Sequence, residues 1–174
     1  MLEDFIHFVT PRKFRVLFIH SPWDVLSLEY RVFNFEEYLK KLGVEANHIS
    51  ALDIPNKLTE IITYDLVVLF RVAYDENVQK VIDICRKLNI PTVFDIDDYV
   101  FEPSIANEKF VDGVRFLSEH EKKLYVDGVR RFRKTLSSCD FVTTSTDFLA
   151  ERARELGKRA FVLRNGCNLS LIHI

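Results

Sequence analysis

The ten residues 92–101 read TVFDIDDYVF, an apolar run that ends in three carboxylates within four positions. Pro91 precedes it, and Thr92, Val93 and Phe94 have the composition of a buried strand. Asp95, Asp97 and Asp98 therefore fall at or just past the carboxyl end of that strand, which in an open α/β sheet is the edge where ligands bind. Strand alternation places Asp95 and Asp97 on one face and Asp98 on the other, for as long as the strand lasts. Three like charges this close repel, and a cation, a hydroxyl or a backbone N–H is needed to relieve them. The plainer reading is an Asp-rich turn that caps a helix or satisfies loop N–H groups.

Working outward, DLVVLF at 65–70 is a second buried strand that ends in Arg71, and Val78, Val81, Ile82, Cys85 and Leu88 recur behind it at helical spacing. RVLFIH at 15–20 is the first buried strand, and it opens into Ser21, Pro22, Trp23 and Asp24. No glycine stands there, which excludes a Rossmann dinucleotide site. Leu28, Val32, Phe35, Leu39 and Leu42 form a helical stripe, with Glu36–Lys40 and Glu37–Lys41 as i,i+4 pairs on another face, and Gly43 ends the helix. Residues 44–50 are a weaker strand. A loop holding Pro55 leads to a short helix near 58–63. Strand and helix alternate throughout, the signature of a parallel α/β sheet.

Past the carboxylates, residues 102–117 lack a period. Ser118 with Glu121 is a capping box for a long helix whose inner face carries Tyr125, Val129, Phe132 and Leu136. Arg130, Arg131, Arg133 and Lys134 read as a solvated face. Residues 141–144 and 160–163 are further strands. Between them Ser145, Thr146 and Asp147 open a helix that Gly157 closes, either as N-caps or as a phosphate-binding terminus. Asn165 and Gly166 read as a turn.

With 174 residues, 48% of them hydrophobic, the chain can bury a core of ordinary domain size. A formal net charge of −2 offers no general attraction to nucleic acid or anionic membrane. Cys85, Cys139 and Cys167 are odd in number and widely spaced, reading as reduced thiols, with Cys85 in the core. No membrane span or signal peptide is readable, so a cytoplasmic protein is expected. Residues 1–14 are a leader without an assigned role. The tail at 169–174, LSLIHI, matches a translated sequencing adaptor and reads as non-native, with 165–168 starting an interdomain linker.

Taken together, residues 15–168 resemble the N-terminal domain of a GT-B glycosyltransferase of the family 4 type. The resemblance rests on SLEYRVFNFEEYLKKLGV after the first strand, on DLVVLFR and IPTVFDIDDYVFEP, and most specifically on the run from 116 to 168. That run holds Cys139–Asp140 before a strand, Ser-Thr at the next helix, a helix ending in Leu-Gly-Lys and a strand ending in Asn-Gly. The resemblance implies a Rossmann-like three-layer domain with a mostly parallel sheet, the N-terminal half of a GT-B architecture. It further implies transfer of a sugar from a nucleotide-sugar to an acceptor hydroxyl on a carbohydrate, a lipid-linked molecule or a protein. The nucleotide-sugar is a co-substrate bound by a second domain that would begin beyond this chain. No cofactor, metal or nucleic acid is implied, and peripheral membrane contact stays open. Ser21–Pro22–Trp23–Asp24 departs from the glycine-rich first loop of many relatives, which removes the basis for a donor-phosphate contact there.

By position, Asp97 is the first choice and Asp98 the second for orienting or deprotonating the acceptor hydroxyl. His20, Trp23, Asp24, Arg71, Asp95 and Tyr99 line the same strand ends and are acceptor-binding candidates. Tyr30 and Arg31 join them, with a helix-packing tyrosine and a surface arginine as their plainer reading, and so do Ser145 and Thr146. Trp23 stacks on a sugar ring or plugs the sheet end. A rival from another class is the haloacid dehalogenase-type phosphatase, which VFDIDDYV also resembles. There Asp95 is the nucleophile and Asp97 the acid/base, with magnesium, a phosphate contact from Thr144 or Ser145, and Lys158 as clamp. A non-catalytic binding module and a metal-dependent aspartate-x-aspartate transferase are further alternatives.

Overall fold

The computed structural model of the protein describes residues 12–165; the rest of the leader, Gly166, Cys167, the expected linker past Asn165 and the 169–174 tail lie outside the described residues. Six segments form strands: β1 (Arg15–His20), β2 (Glu45–Ser50), β3 (Leu66–Phe70), β4 (Thr92–Ile96), β5 (Phe141–Thr144) and β6 (Arg159–Val162). They make one sheet in the order β2-β1-β3-β4-β5-β6, and every neighbouring pair is parallel. The order reverses between β1 and β3, so a crevice opens beyond their carboxyl ends.

Helices follow each of the first five strands, two of them after β1: α1 (Val25–Leu28), α2 (Asn34–Lys41), α3 (Ile54–Ile61), α4 (Glu76–Leu88), α5 (Glu119–Ser138) and α6 (Asp147–Glu155). Right-handed crossovers decide which face each helix covers. The step from β1 to β2 runs one way across the sheet and every later step runs the other. Accordingly Leu28 and Val32 pack with Val16, Phe18, Val68 and Val93 on one face, while buried residues of α3 to α6 pack with Leu17, Ile19, Leu69, Phe94 and Val142 on the opposite face. The domain is a three-layer α/β fold in which one layer is built from a single helical stretch.

Several local expectations need correction. Between α1 and α2 the chain makes a π turn, Glu29–Phe33, and this wider turn shifts the register of the stripe. Leu28 and Val32 are buried, Phe35 and Leu39 are half-buried, and Leu42 is exposed. Leu88 is exposed too, past the last buried turn of α4. Pro55 lies in the first turn of α3, where its missing N–H has no intrahelical partner to lose, so that helix begins at Ile54 rather than near 58. The strand at 44–50 is the sheet edge, and residues 102–117 contain only two short 3₁₀ turns.

The basic stretch of α5 is more engaged than a solvated face would be. Arg131 Nε donates to the Tyr74 carbonyl at 2.7 Å, Arg133 Nη1 reaches Glu102 at 3.0 Å and the Phe101 carbonyl at 3.2 Å, and the Lys134 ammonium sits 4.0 Å from the Tyr74 ring centroid. These contacts tie the loop before α4 and the segment after β4 to one helix. Cys85 and Cys139 are free and buried, and burial pushes their thiols up to about 11 and about 12, so both are unreactive core groups.

Ser118 and Glu121 form the reciprocal capping box at the start of α5. Ser118→Ala is expected to lower stability by about 1 kcal/mol, because a helix N–H loses its acceptor. Urea unfolding monitored by circular dichroism reads the shift, and Ser118→Asp should recover most of it.

Candidate functional site at the carboxyl edge

β1 and β3 deliver their loops side by side, and the Ser21 N–H donates to the Phe70 carbonyl at 3.1 Å. Arg71 follows β3 with φ +48°, a left-handed conformation uncommon for a non-glycine residue. Its N–H donates to the Asp95 carbonyl at 3.0 Å, which holds the turn against β4. From there the guanidinium reaches three carboxylates: Nη1 pairs with Asp24, Nη2 with Asp98, and Nε lies 3.1 Å from Asp97 Oδ1. One cation thus gathers acids from the β1 loop and the β4 loop, leaving a surplus of negative charge.

The contact with Asp97 has a specific geometry. Arg71 Nε and Asp97 Oδ1 are within ion-pair range, yet neither atom makes a hydrogen bond and both are shielded from solvent. Oδ1 is therefore a buried acceptor with unused hydrogen-bonding capacity, a condition that is rare unless a ligand or water supplies the donor. The Ser145 hydroxyl donates to the Asp97 carbonyl at 3.2 Å and brings the β5 loop to the same corner. Trp23 projects beside Asp24 with 86% of its surface exposed, so it does not plug the sheet end.

Asp95 belongs to a different environment. It is 2% exposed and Arg31, on the π turn, is 0% exposed. Arg31 Nε donates to Asp95 Oδ2 at 3.2 Å and Nη2 donates to Oδ1, forming a two-pronged pair. Arg31 Nη1 donates to the Leu163 carbonyl and to Asn165 Oδ1, the latter at 3.2 Å. Burial pushes the Asp95 carboxyl above the usual range, with Arg31 and a hydrogen bond from Thr143 pulling against it. The plainer reading of the Tyr30–Arg31 pair is thus reversed: Arg31 is the packing residue and Tyr30 is exposed. Arg31 and Asp95 are buried and paired with each other, so they tie the π turn to β4. β4 ends at Ile96, and beyond it Asp97 shares Arg71 with Asp98.

The remaining candidates scatter. His20 Nδ1 lies 3.0 Å from the Ser21 carbonyl, and its ring is 5.9 Å from that of His48. His48 in turn pairs with Glu36 at 2.5 Å, on the side of the sheet covered by α2. Tyr99 packs edge-on against Phe101 and Phe148, with ring centroids 5.2 and 5.3 Å away, as a core-flanking residue. Thr146 is the N-cap of α6, its hydroxyl accepting from the Leu149 N–H at 3.3 Å. The corner itself therefore consists of Trp23, Asp24, Arg71, Asp97, Asp98 and Ser145. Sequence reasoning missed Thr143 and Asn165 as partners of the buried pair; no local signal marks either. Among the described residues no cluster of three or more His, Cys, Asp or Glu has the arrangement of a metal site, and no helix is long and apolar enough to cross a membrane.

Among the described residues the side chains named for a phosphatase do not converge. A nucleophilic Asp95 would have to leave Arg31, and Lys158 donates to the Ser137 and Cys139 carbonyls at 2.6 and 2.7 Å, at the amino edge of the sheet, opposite the acids.

No protein-family profile and no curated protein matches the chain. Solved structures with similar backbones include a GntR transcription regulator from Chromobacterium violaceum (15% identity, 86% of this chain and 78% of that one, TM-score 0.44). A short-chain dehydrogenase/reductase from Veillonella parvula is 11% identical over 76% of this chain and 69% of that one, with TM-score 0.42. A solute-binding protein of an ABC transporter from Clostridium phytofermentans, with bound β-D-glucose, is 11% identical over 90% and 74%, with TM-score 0.40. Likenesses this loose carry no argument about what the chain does.

Proposed function

We propose that the chain is the acceptor-side domain of a glycosyltransferase of the GT-B type, acting on a nucleotide-sugar bound by a second domain. The observation that carries this reading is the buried, unspent Oδ1 of Asp97 at the switch-point crevice. Once the side chains of the corner part to admit it, an acceptor hydroxyl donating to that oxygen satisfies it and is at the same time oriented, with its proton drawn off, for attack on an anomeric carbon. Arg71 holds the carboxylate by an ion pair at 3.1 Å to that same oxygen, without a hydrogen bond. Asp24 and Asp98 add acceptors for neighbouring hydroxyls, and exposed Trp23 offers a flat face to a sugar ring. An acid-rich corner of this kind suits a neutral polyol and repels phosphate.

The chain by itself is expected to show little or no transfer. In a version extended past Asn168, Asp97→Asn should cut nucleotide-sugar turnover by 100-fold or more, in the range typical of a lost general base, with Asp98→Asn costing less. A panel of nucleotide-sugars assayed for hydrolysis and transfer makes the comparison. Turnover unchanged in Asp97→Asn would remove Asp97 from the chemistry, and magnesium-dependent release of phosphate from phosphomonoesters, abolished by Asp95→Asn, would replace the whole reading.

A further inference from the structure

All-parallel sheets occur almost only with both faces covered, and here the stretch from α1 to α2 covers only part of one face. α3 to α6 share a face, so past the stretch from α1 to α2, which reaches Val93 of β4, the opposite face of β5 and β6 meets no helix among the described residues. The result is an apolar groove of about 450 Å³, floored by Phe18, Val68 and Val93, walled by Phe35 and Leu39, and bounded by Phe14 and Leu163. The face continues over Phe141 and Phe161, whose ring centroids are 6.2 Å apart; Phe161 and Phe14 are each 50% exposed. Arg159 stacks on Phe141 at 5.0 Å, which places positive charge at the amino edge of the same surface.

We propose that residues 2–9 of this chain occupy that groove. Three observations favour them over other occupants. Phe14 already lines the groove, so the chain just ahead of it begins at the groove's edge. The sequence LEDFIHFV places Leu2, Phe5, Ile6 and Val9 at the i, i+3, i+4, i+7 spacing that makes one apolar stripe. Glu3 and Asp4 carry the charge that complements Arg159. Distance permits it: β1 to β6 is four inter-strand steps, about 19 Å, and the five residues from Val9 to Phe14 span up to about 17 Å when extended before the stripe itself is counted. The proposal is independent of any transfer chemistry.

A pair of cysteines tests it in the full chain. With Cys167→Ser as background, Ile6→Cys and Phe161→Cys are combined and the protein is oxidised at low concentration. An intramolecular disulfide, seen by intact mass and lost on reduction, is expected. A disulfide that links two chains instead would mean that a second copy covers the face, and would overturn the proposal. A second variant keeps cysteine out of the question: Phe5→Asp with Ile6→Asp should raise the fluorescence of an apolar dye several-fold over the parent. Dye binding equal to the parent's, with no intramolecular disulfide, overturns the assignment of residues 2–9.

Discussion

Arg31→Met is expected to lower the stability of the folded domain by about 3–5 kcal/mol at neutral pH, the range found when one partner of a buried ion pair is removed. Methionine matches much of the volume, so the loss comes from leaving the Asp95 carboxylate buried without its cation. The sign of the pH dependence follows. Burial already raises the Asp95 carboxyl, and removing Arg31 removes a group that pulled it back. In the variant the native state holds a proton more tightly than the unfolded chain does, so its stability falls as pH rises through the raised native value and recovers on acidification. The deficit relative to the parent should therefore be largest at neutral pH and shrink as Asp95 becomes neutral. Asp95→Leu combined with Arg31→Met should regain much of the loss, since an apolar pair of similar shape carries no desolvation penalty. Urea unfolding at several pH values separates these outcomes; a deficit independent of pH would mean that packing, not charge, is what Arg31 supplies.

Arg71→Met is the second large effect. It leaves Asp24, Asp97 and Asp98 facing one another with no cation at their centre. Asp98 is mostly exposed and solvent moderates its share, so the expected loss is about 1–3 kcal/mol, below that of a fully buried pair. Added salt should narrow the gap between variant and parent, because screening relieves repulsion among exposed carboxylates. Arg71→Lys keeps the charge yet cannot fork to three acids, and should fall between the two. If salt leaves the gap unchanged, the left-handed turn at Arg71 rather than the charge cluster is what the substitution disturbs.

Much of the architecture was readable because apolar runs and caps are local signals. RVLFIH, DLVVLF and TVF announce β1, β3 and β4 from composition alone, and Ser118–Glu121 fixes the start of α5 to the residue. The meeting of Asp24, Arg71, Asp97 and Asp98 follows from strand ends sharing one edge, without any knowledge of side-chain geometry. Asp95 and Arg31 were legible as residues of interest but not in their role. Their pairing spans 64 positions, and arginine is so seldom fully buried that a helical pattern alone assigns it to the surface. The π turn worked the same way: it is a wider turn that no spacing rule anticipates, and it left Leu42 in solvent. The ring packing of Tyr99 and the N-cap role of Thr146 are not legible in sequence, because proximity to a strand end says nothing of where a ring or hydroxyl points.

Arg31 also sets a condition on how the chain is made. Its guanidinium draws acceptors from residue 95 and again from residues 163 and 165, the last of them 134 positions downstream. Domains usually fold as units once synthesis has delivered them. While a ribosome is still short of Leu163, the π turn between α1 and α2 holds a cation with part of its hydrogen-bonding fork unmet. The π turn after α1 and the segment that follows β6 therefore mature together, and a nascent chain halted before Leu163 carries its least satisfied group near its beginning rather than at the point where it stopped.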